Sequence, residues 1–116
     1  MTRERTEIVC EVKIVAVIMR IIQRFRTGKK IEFMELEKQF AALEHQGVLL
    51  KGERMTPLAS REPGNTLIWQ GRFGSLGEAE EAIRFFENSA DHTRLYEQQK
   101  QYMEDTWVEF YEILDY

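Results

Sequence analysis

Positions 8–26 are dense in Ile and Val, residues that lose rotamer freedom in a helix and pack well on a pleated surface. As one strand the run would span about 60 Å at ~3.3 Å per residue, long for a small domain. It therefore predicts a leading strand over 7–16 and a first main strand over 18–26, ended by Thr27-Gly28. Phe33, Leu36, Phe40 and Leu43 then recur at spacings of 3, 4 and 3, which is one face of a helix over 29–46. Ile31, Met34 and Ala41 widen that stripe, Thr27 is available as its cap, and Gly47 supplies the left-handed residue that stops it.

Val48 to Met55 reads as a second strand. Pro57, Pro63 and Gly64-Asn65 make 56–65 a loop, and a third strand follows at Thr66–Phe73. Gly71 within that strand marks a bulge or a close approach of a side chain. Ser75-Leu76-Gly77-Glu78 fits a capping box, and Leu76, Ala79, Ile83 and Phe86 give the next helix its stripe. Asn88-Ser89 interrupts it. A further helical stretch runs from Asp91 through Leu95, Tyr96, Gln99 and Tyr102/Met103, and the last strand runs from Thr106 to about Leu114. The order is that of an α+β, ferredoxin-like β-α-β-β-α-β domain with an antiparallel sheet, a broken second helix and an extra N-terminal strand.

These strands do not alternate cleanly between apolar and polar. Val48-Leu49-Leu50, Leu67-Ile68-Trp69 and the pairs Trp107/Val108 and Phe110/Tyr111 place apolar groups on both faces. Two helices cover only one face of a sheet. The other is expected to bury itself against a second copy, giving a homodimer through sheet faces.

With 116 residues there is room for one domain and a core that needs no staples. A composition of 43% hydrophobic and 31% charged residues excludes disorder as the ground state. The single cysteine, Cys10, has no partner for an internal disulfide and is expected to be a buried hydrophobe in a reducing, cytoplasmic setting. No secretory signal is expected. The apolar segment 14–19 is flanked by Glu11, Lys13 and Arg20 and is far short of the ~20 residues a bilayer needs, so no membrane partner is expected.

Net charge is −4 and unevenly placed. Residues 1–30 hold eight Lys/Arg against three Glu, whereas 104–116 carry Glu104, Asp105, Glu109, Glu112 and Asp115 with no cation. An acidic majority repels phosphate backbones, which argues against a nucleic-acid partner.

Several pieces together resemble the dimeric α+β barrel superfamily, and within it NIPSNAP-type domains most. They are Arg24-Phe25-Arg26-Thr27-Gly28-Lys29 before a long helix, the aromatic strand Leu67-Ile68-Trp69, the segment 75–82 and Asp91-His92-Thr93-Arg94-Leu95-Tyr96. The resemblance covers 19–114, so it implies a domain over 19–116 preceded by an N-terminal extension or extra strand over 1–18. Met19 stands where family members often begin. The superfamily includes antibiotic-biosynthesis monooxygenases, haem-degrading oxygenases, small dehydratases and cyclases, which use a pocket between sheet and helices.

Within such a pocket His92 is the candidate general base, since imidazole titrates near neutrality. His45 falls in the last turn of the first helix, where a cation favours the dipole. Arg20, Arg24 and Arg26 share a face of the first strand, with Arg72 joining from the third. They either pair with Glu109 and the acidic last strand or grip a carboxylate or phosphate on a ligand. Arg24, Arg72, Trp69, Tyr96 and Trp107 are the candidate ligand-binding residues. No hydrolase triad order, phosphate loop or Cys/His metal spacing is present, so no metal site and no cofactor is expected. The expected function is that of a NIPSNAP-like dimeric protein holding a small apolar or acidic molecule between sheet and helices. The alternatives are a cofactor-independent monooxygenase-like or haem-degrading enzyme, and a protein–protein interaction module using loop 56–65 and the acidic tail.

Overall fold

Apolar residues at alternate positions of three strands, and at helical spacing in three helices, meet in one layer between them. The computed structural model describes residues 13–115; Cys10 and positions 7–12 of the expected leading strand lie outside the described residues. Strand β1 spans Lys13–Phe25, helix α1 Lys30–His45, β2 Glu53–Met55 and β3 Thr66–Phe73. Helix α2 spans Leu76–Asn88, α3 Ala90–Gln99, and a 3-10 turn at Lys100–Tyr102 leads into β4, Met103–Asp115. The sheet order is β2-β3-β1-β4, antiparallel throughout, which is the ferredoxin-like arrangement.

The break expected near position 17 is absent. Residues 13–25 form one strand that passes without interruption through 18 and 19, with a register irregularity only between Ile14 and Ala16. The reason lies in β4, which is equally long and pairs with β1 from Lys13↔Asp115 to Phe25↔Met103. β1 thus keeps a ladder even beyond the end of β3, whose pairing starts at Val17↔Phe73.

The second strand is shorter than expected. After α1, Gly47 turns left-handed (φ 80°), its N–H donates to Glu44 O, and the Val48 N–H donates to Leu43 O at 2.9 Å. These are the two bonds of a Schellman motif, and they hold Val48 and Leu49 on the helix end, away from the sheet. Only Glu53–Met55 pairs with β3. At the other end of α1 the cap is Lys29 with no side-chain bond, not Thr27. Gly28 (φ 86°) and a turn bond from Lys29 N–H to Arg26 O separate Thr27 from the first helical turn.

Two local expectations are met. Ser75 Oγ accepts from the Glu78 N–H at 3.2 Å, while the Glu78 carboxylate reaches one residue further back, to the Gly74 N–H. Ser89, in extended conformation, ends α2 and caps α3 by accepting from the His92 N–H at 3.2 Å.

The core lies between the helices and one sheet face. Met19, Trp69, Leu36, Phe40, Ala79, Ala82, Phe86 and Leu95 form its main cluster, and Phe25, Phe33, Leu67 and Met103 a second. Fully buried Phe33 and Leu95 each stabilise by roughly 1.5–3 kcal/mol. The register through Gly71 is unbroken, so no bulge forms. A Cβ there would lie 2.8 Å from Trp69 Cη2 and 3.1 Å from the Phe73 ring, which leaves close approach as the reason for glycine.

Beyond Met103, no helix among the described residues covers β4 on that side, and Val108 and Phe110 remain 40% exposed. On the opposite face Ile22 is nonetheless buried. Its cross-strand neighbours there are Ile68 and Trp107. Arg20 and Arg24 flank it at two-residue spacing, which on a strand means the same face.

Candidate functional site

Helix α1 presents Glu37, Phe40 and Glu44 at spacings of three and four, hence on one face. All three are buried, and they face Arg54 of β2 and Gln99 at the end of α3. Arg54 Nε donates to Glu37 Oε2 at 2.7 Å; Nη1 and Nη2 donate to Glu44 Oε1 and Oε2 at 3.1 and 2.6 Å. Glu44 also accepts from the Gly52 N–H at 3.2 Å and the Trp69 indole N–H at 3.3 Å. Gln99 donates to Glu37 Oε1 at 2.7 Å and to Phe33 O at 3.3 Å. Burial opposes the Arg54 charge, but hydrogen bonds and attraction to Glu44 and Glu37 outweigh it and raise the guanidinium pKa.

This network borders a cavity of about 190 Å³ between sheet and helices. The rest of its wall is largely aromatic. The His92 ring stacks on Phe86 (centroids 5.2 Å) and Tyr96 (6.3 Å) and tilts against Phe40 (5.3 Å). Trp69 meets Phe86 edge-on at 5.6 Å. Burial in this setting lowers the His92 pKa, so the imidazole is neutral at pH 7. Such a chamber can sequester a small molecule, with rings for its apolar body and a polar corner for one functional group.

Of the residues expected to carry chemistry, His92, Trp69 and Tyr96 line this cavity. Arg24, Arg72 and Trp107 sit on the other face of the sheet and so do not join them. Arg24 packs over the Trp107 ring at 5.1 Å and pairs with Glu62 of the 56–65 loop at 3.2 Å. Arg72 is exposed, cross-strand from Ile18. Arg20 lies over the Tyr111 ring at 5.0 Å and donates to Gln70. Arg26 lies past the end of β1 and donates to Gln101 O, so the row of three arginines on one strand face is reduced to two. Glu109, cross-strand from Arg20, accepts from Tyr111 and Trp107; those bonds and the Arg20 charge hold its pKa low. Asp91 pairs with Arg94, not with His92, and His45 is exposed at the end of α1.

Sequence reasoning missed Glu37, Glu44, Arg54 and Gln99. The available signal was the i, i+7 repeat of Glu37 and Glu44 around Phe40 on the apolar stripe. Among the described residues no cluster of three or more His, Cys, Asp or Glu could hold a metal, and no helix is long and apolar enough to cross a membrane.

The sequence matches no protein family profile and no curated relative. Solved structures do match. A NIPSNAP family protein from Agrobacterium tumefaciens is 14% identical, with 90% of each chain covered and a TM-score of 0.72. A NIPSNAP domain protein from Burkholderia xenovorans is 12% identical over 82% of this chain and 91% of that one, TM-score 0.66. An antibiotic biosynthesis monooxygenase-like protein from Caulobacter crescentus is 10% identical over 88% and 92%, TM-score 0.65. At these identities the likeness is one of fold, and the chain is built as a NIPSNAP-like, ferredoxin-like α+β domain of the kind shared with the monooxygenase-like proteins.

Proposed function

We propose that the protein is a homodimeric, cytoplasmic, NIPSNAP-like binding protein that holds a small apolar molecule in the cavity between sheet and helices. The observation that carries this reading is the chamber itself: an aromatic wall of Phe40, Phe86, His92 and Tyr96 closed at one corner by the Arg54 network. An engineered cavity of ~150 Å³ suffices for benzene, so about 190 Å³ accommodates one ring with a short substituent. Trp69 lines the cavity, while the other tryptophan, Trp107, lies across the sheet. A Trp107→Phe variant therefore leaves Trp69 as the reporter. Titration with 2-phenylethanol gives a saturable change in its emission, abolished by Val108→Phe, which fills the chamber from β4 without adding a second indole. Emission that never saturates in the parent variant overturns the reading.

Dimerisation through the open sheet face is supported by Trp107, Tyr111 and Ile68 on that face. Light scattering then returns about twice 13.8 kDa, and a clean monomer removes this part.

A second reading, a cofactor-independent monooxygenase-like enzyme, draws on His92 and Tyr96 sharing the chamber. The imidazole meets three rings there, and a general base needs a polar neighbour within hydrogen-bond reach in the substrate complex. Binding is accordingly the reading preferred.

A further inference from the structure

We propose that the ligand of this cavity is a small organic cation, an arylalkyl- or alkylammonium of about one ring's size, recognised by Glu37 beside the aromatic wall. The inference rests on the binding function proposed above and adds a cationic head group to the apolar ligand.

Charge balance comes first. The charged groups facing the cavity are Glu37 and Glu44 from α1, Glu87 from α2 and Arg54 from β2. His92 from α3 is neutral, and the strands β1, β3 and β4 contribute no charge to the lining. Glu87 is exposed, so two buried carboxylates face one guanidinium. Buried charge is costly unless paired, and Arg54 is shared between two carboxylates, which leaves one buried negative charge without a cation of its own.

Lone-pair accounting says which carboxylate it is. A carboxylate offers about four acceptor sites. Both Glu44 oxygens accept twice, from Gly52 and Arg54 Nη1 and from Arg54 Nη2 and Trp69. Among the described residues, Glu37 accepts only once per oxygen, from Gln99 and from Arg54 Nε. Glu37 lines the cavity and so can offer that unused acceptor capacity to a ligand. An ammonium group carries the donors that match it; a carboxylate or phosphate carries none and meets repulsion.

The apolar wall points the same way. Phe40 stands one helical turn from Glu37 on the same face, and its ring leads to His92, Phe86 and Tyr96. Aromatic faces attract desolvated cations and also pack against an aryl body. Selectivity then comes from Glu37 and the ring faces acting on the head group, and affinity from burial of the ring.

Three ligands of one shape test this on the intact protein: 2-phenylethylammonium, 2-phenylethanol and 3-phenylpropionate, each titrated calorimetrically. The ammonium is expected to bind about tenfold or more tightly than the alcohol, with no detectable binding of the carboxylate. Glu37→Gln is expected to bring the ammonium to within about twofold of the alcohol measured on the same variant. Equal binding of ammonium and alcohol, or tighter binding of the carboxylate, overturns the cation assignment and leaves the cavity reading standing. If none of the three binds, the cavity reading falls and the cation assignment with it. The wild-type series decides alone should E37Q fail to fold.

Discussion

Arg54 and Glu44 meet fork to fork, Nη1 on Oε1 at 3.1 Å and Nη2 on Oε2 at 2.6 Å, with Trp69 and Gly52 completing the carboxylate's shell. The pair ties the short strand β2 to α1 across the end of the cavity. Two parallel charge-assisted bonds fix orientation as well as energy, and few other side chains supply that geometry.

Removing the cation should therefore be costly. Arg54→Ala strands Glu37 and Glu44, both buried, without their counter-charge. The expected loss is about 3 kcal/mol, the low end for a broken buried pair because the Arg54 side chain keeps 21% exposure. Arg54→Lys retains the charge but not the fork and should fall between. Urea unfolding of the three proteins measures both values. A loss below about 1 kcal/mol for Arg54→Ala would show that the network is solvated, as exposed pairs are.

Gly52 tests the same corner through space. A Cβ at this position would lie 2.2 Å from Trp69 Cε2 and 2.5 Å from its Nε1, so alanine must displace the indole that bonds Glu44. Overpacking of this kind costs typically 1–3 kcal/mol. Gly52→Ala is expected to unfold at correspondingly lower denaturant and to shift Trp69 emission in the folded state. Gly64→Ala, with open space around its Cβ, serves as the control and should leave both readouts where they are.

The parts of this architecture that were legible in the sequence are those set by local chemistry. The 33-36-40-43 stripe fixed α1, Gly47 its end, the capping box the start of α2, and Ser89 the break between α2 and α3. Each depends on residues within a few positions of one another. The strands were harder. Whether β1 is one strand or two depends on the length of β4, ninety positions away in the chain, and the Schellman bonds that withdraw Val48 and Leu49 from β2 compete with strand propensity. The site was half legible for a related reason. His92, Trp69 and Tyr96 reached the cavity, but Arg24, Arg72 and Trp107 are on the opposite face, since period-2 alternation assigns faces only once register is known. Glu37 and Glu44 went unread because their partner, Arg54, comes from another element.

Ser89 serves two helices with one residue. Its extended backbone ends α2, and its hydroxyl takes the His92 N–H that opens α3. Ser89→Ala should cost about 1 kcal/mol, the usual loss for an N-cap hydroxyl, and Ser89→Asp should recover most of it. Because the capped residue is His92, amide exchange at the first turn of α3 should quicken in the alanine variant by about fivefold, the equivalent of that energy. Exchange there unchanged, with stability unchanged, would sink the capping role.

His92 itself sets a pH dependence whose sign follows from its burial. Desolvation among Phe40, Phe86 and Tyr96 lowers its folded-state pKa below the ordinary 6.5. In the unfolded chain the imidazole takes up a proton near 6.5; in the folded chain it does so only at lower pH. Between those two values the unfolded state binds more protons, so stability rises with pH. The contribution is complete above the unfolded pKa, erodes as pH falls through about 6.5, and levels off below the folded pKa. His92→Phe keeps a ring in the same packing and removes the titration, while His45 and every carboxylate remain in both proteins. The difference in unfolding free energy between wild type and variant should therefore be flat from about pH 8 to 7 and move against the wild type as pH falls from about 6.5 towards 5. Parallel curves for the two proteins over that range would mean that the ring is solvated and titrates normally, and the aromatic wall would then not shield a bound molecule from water.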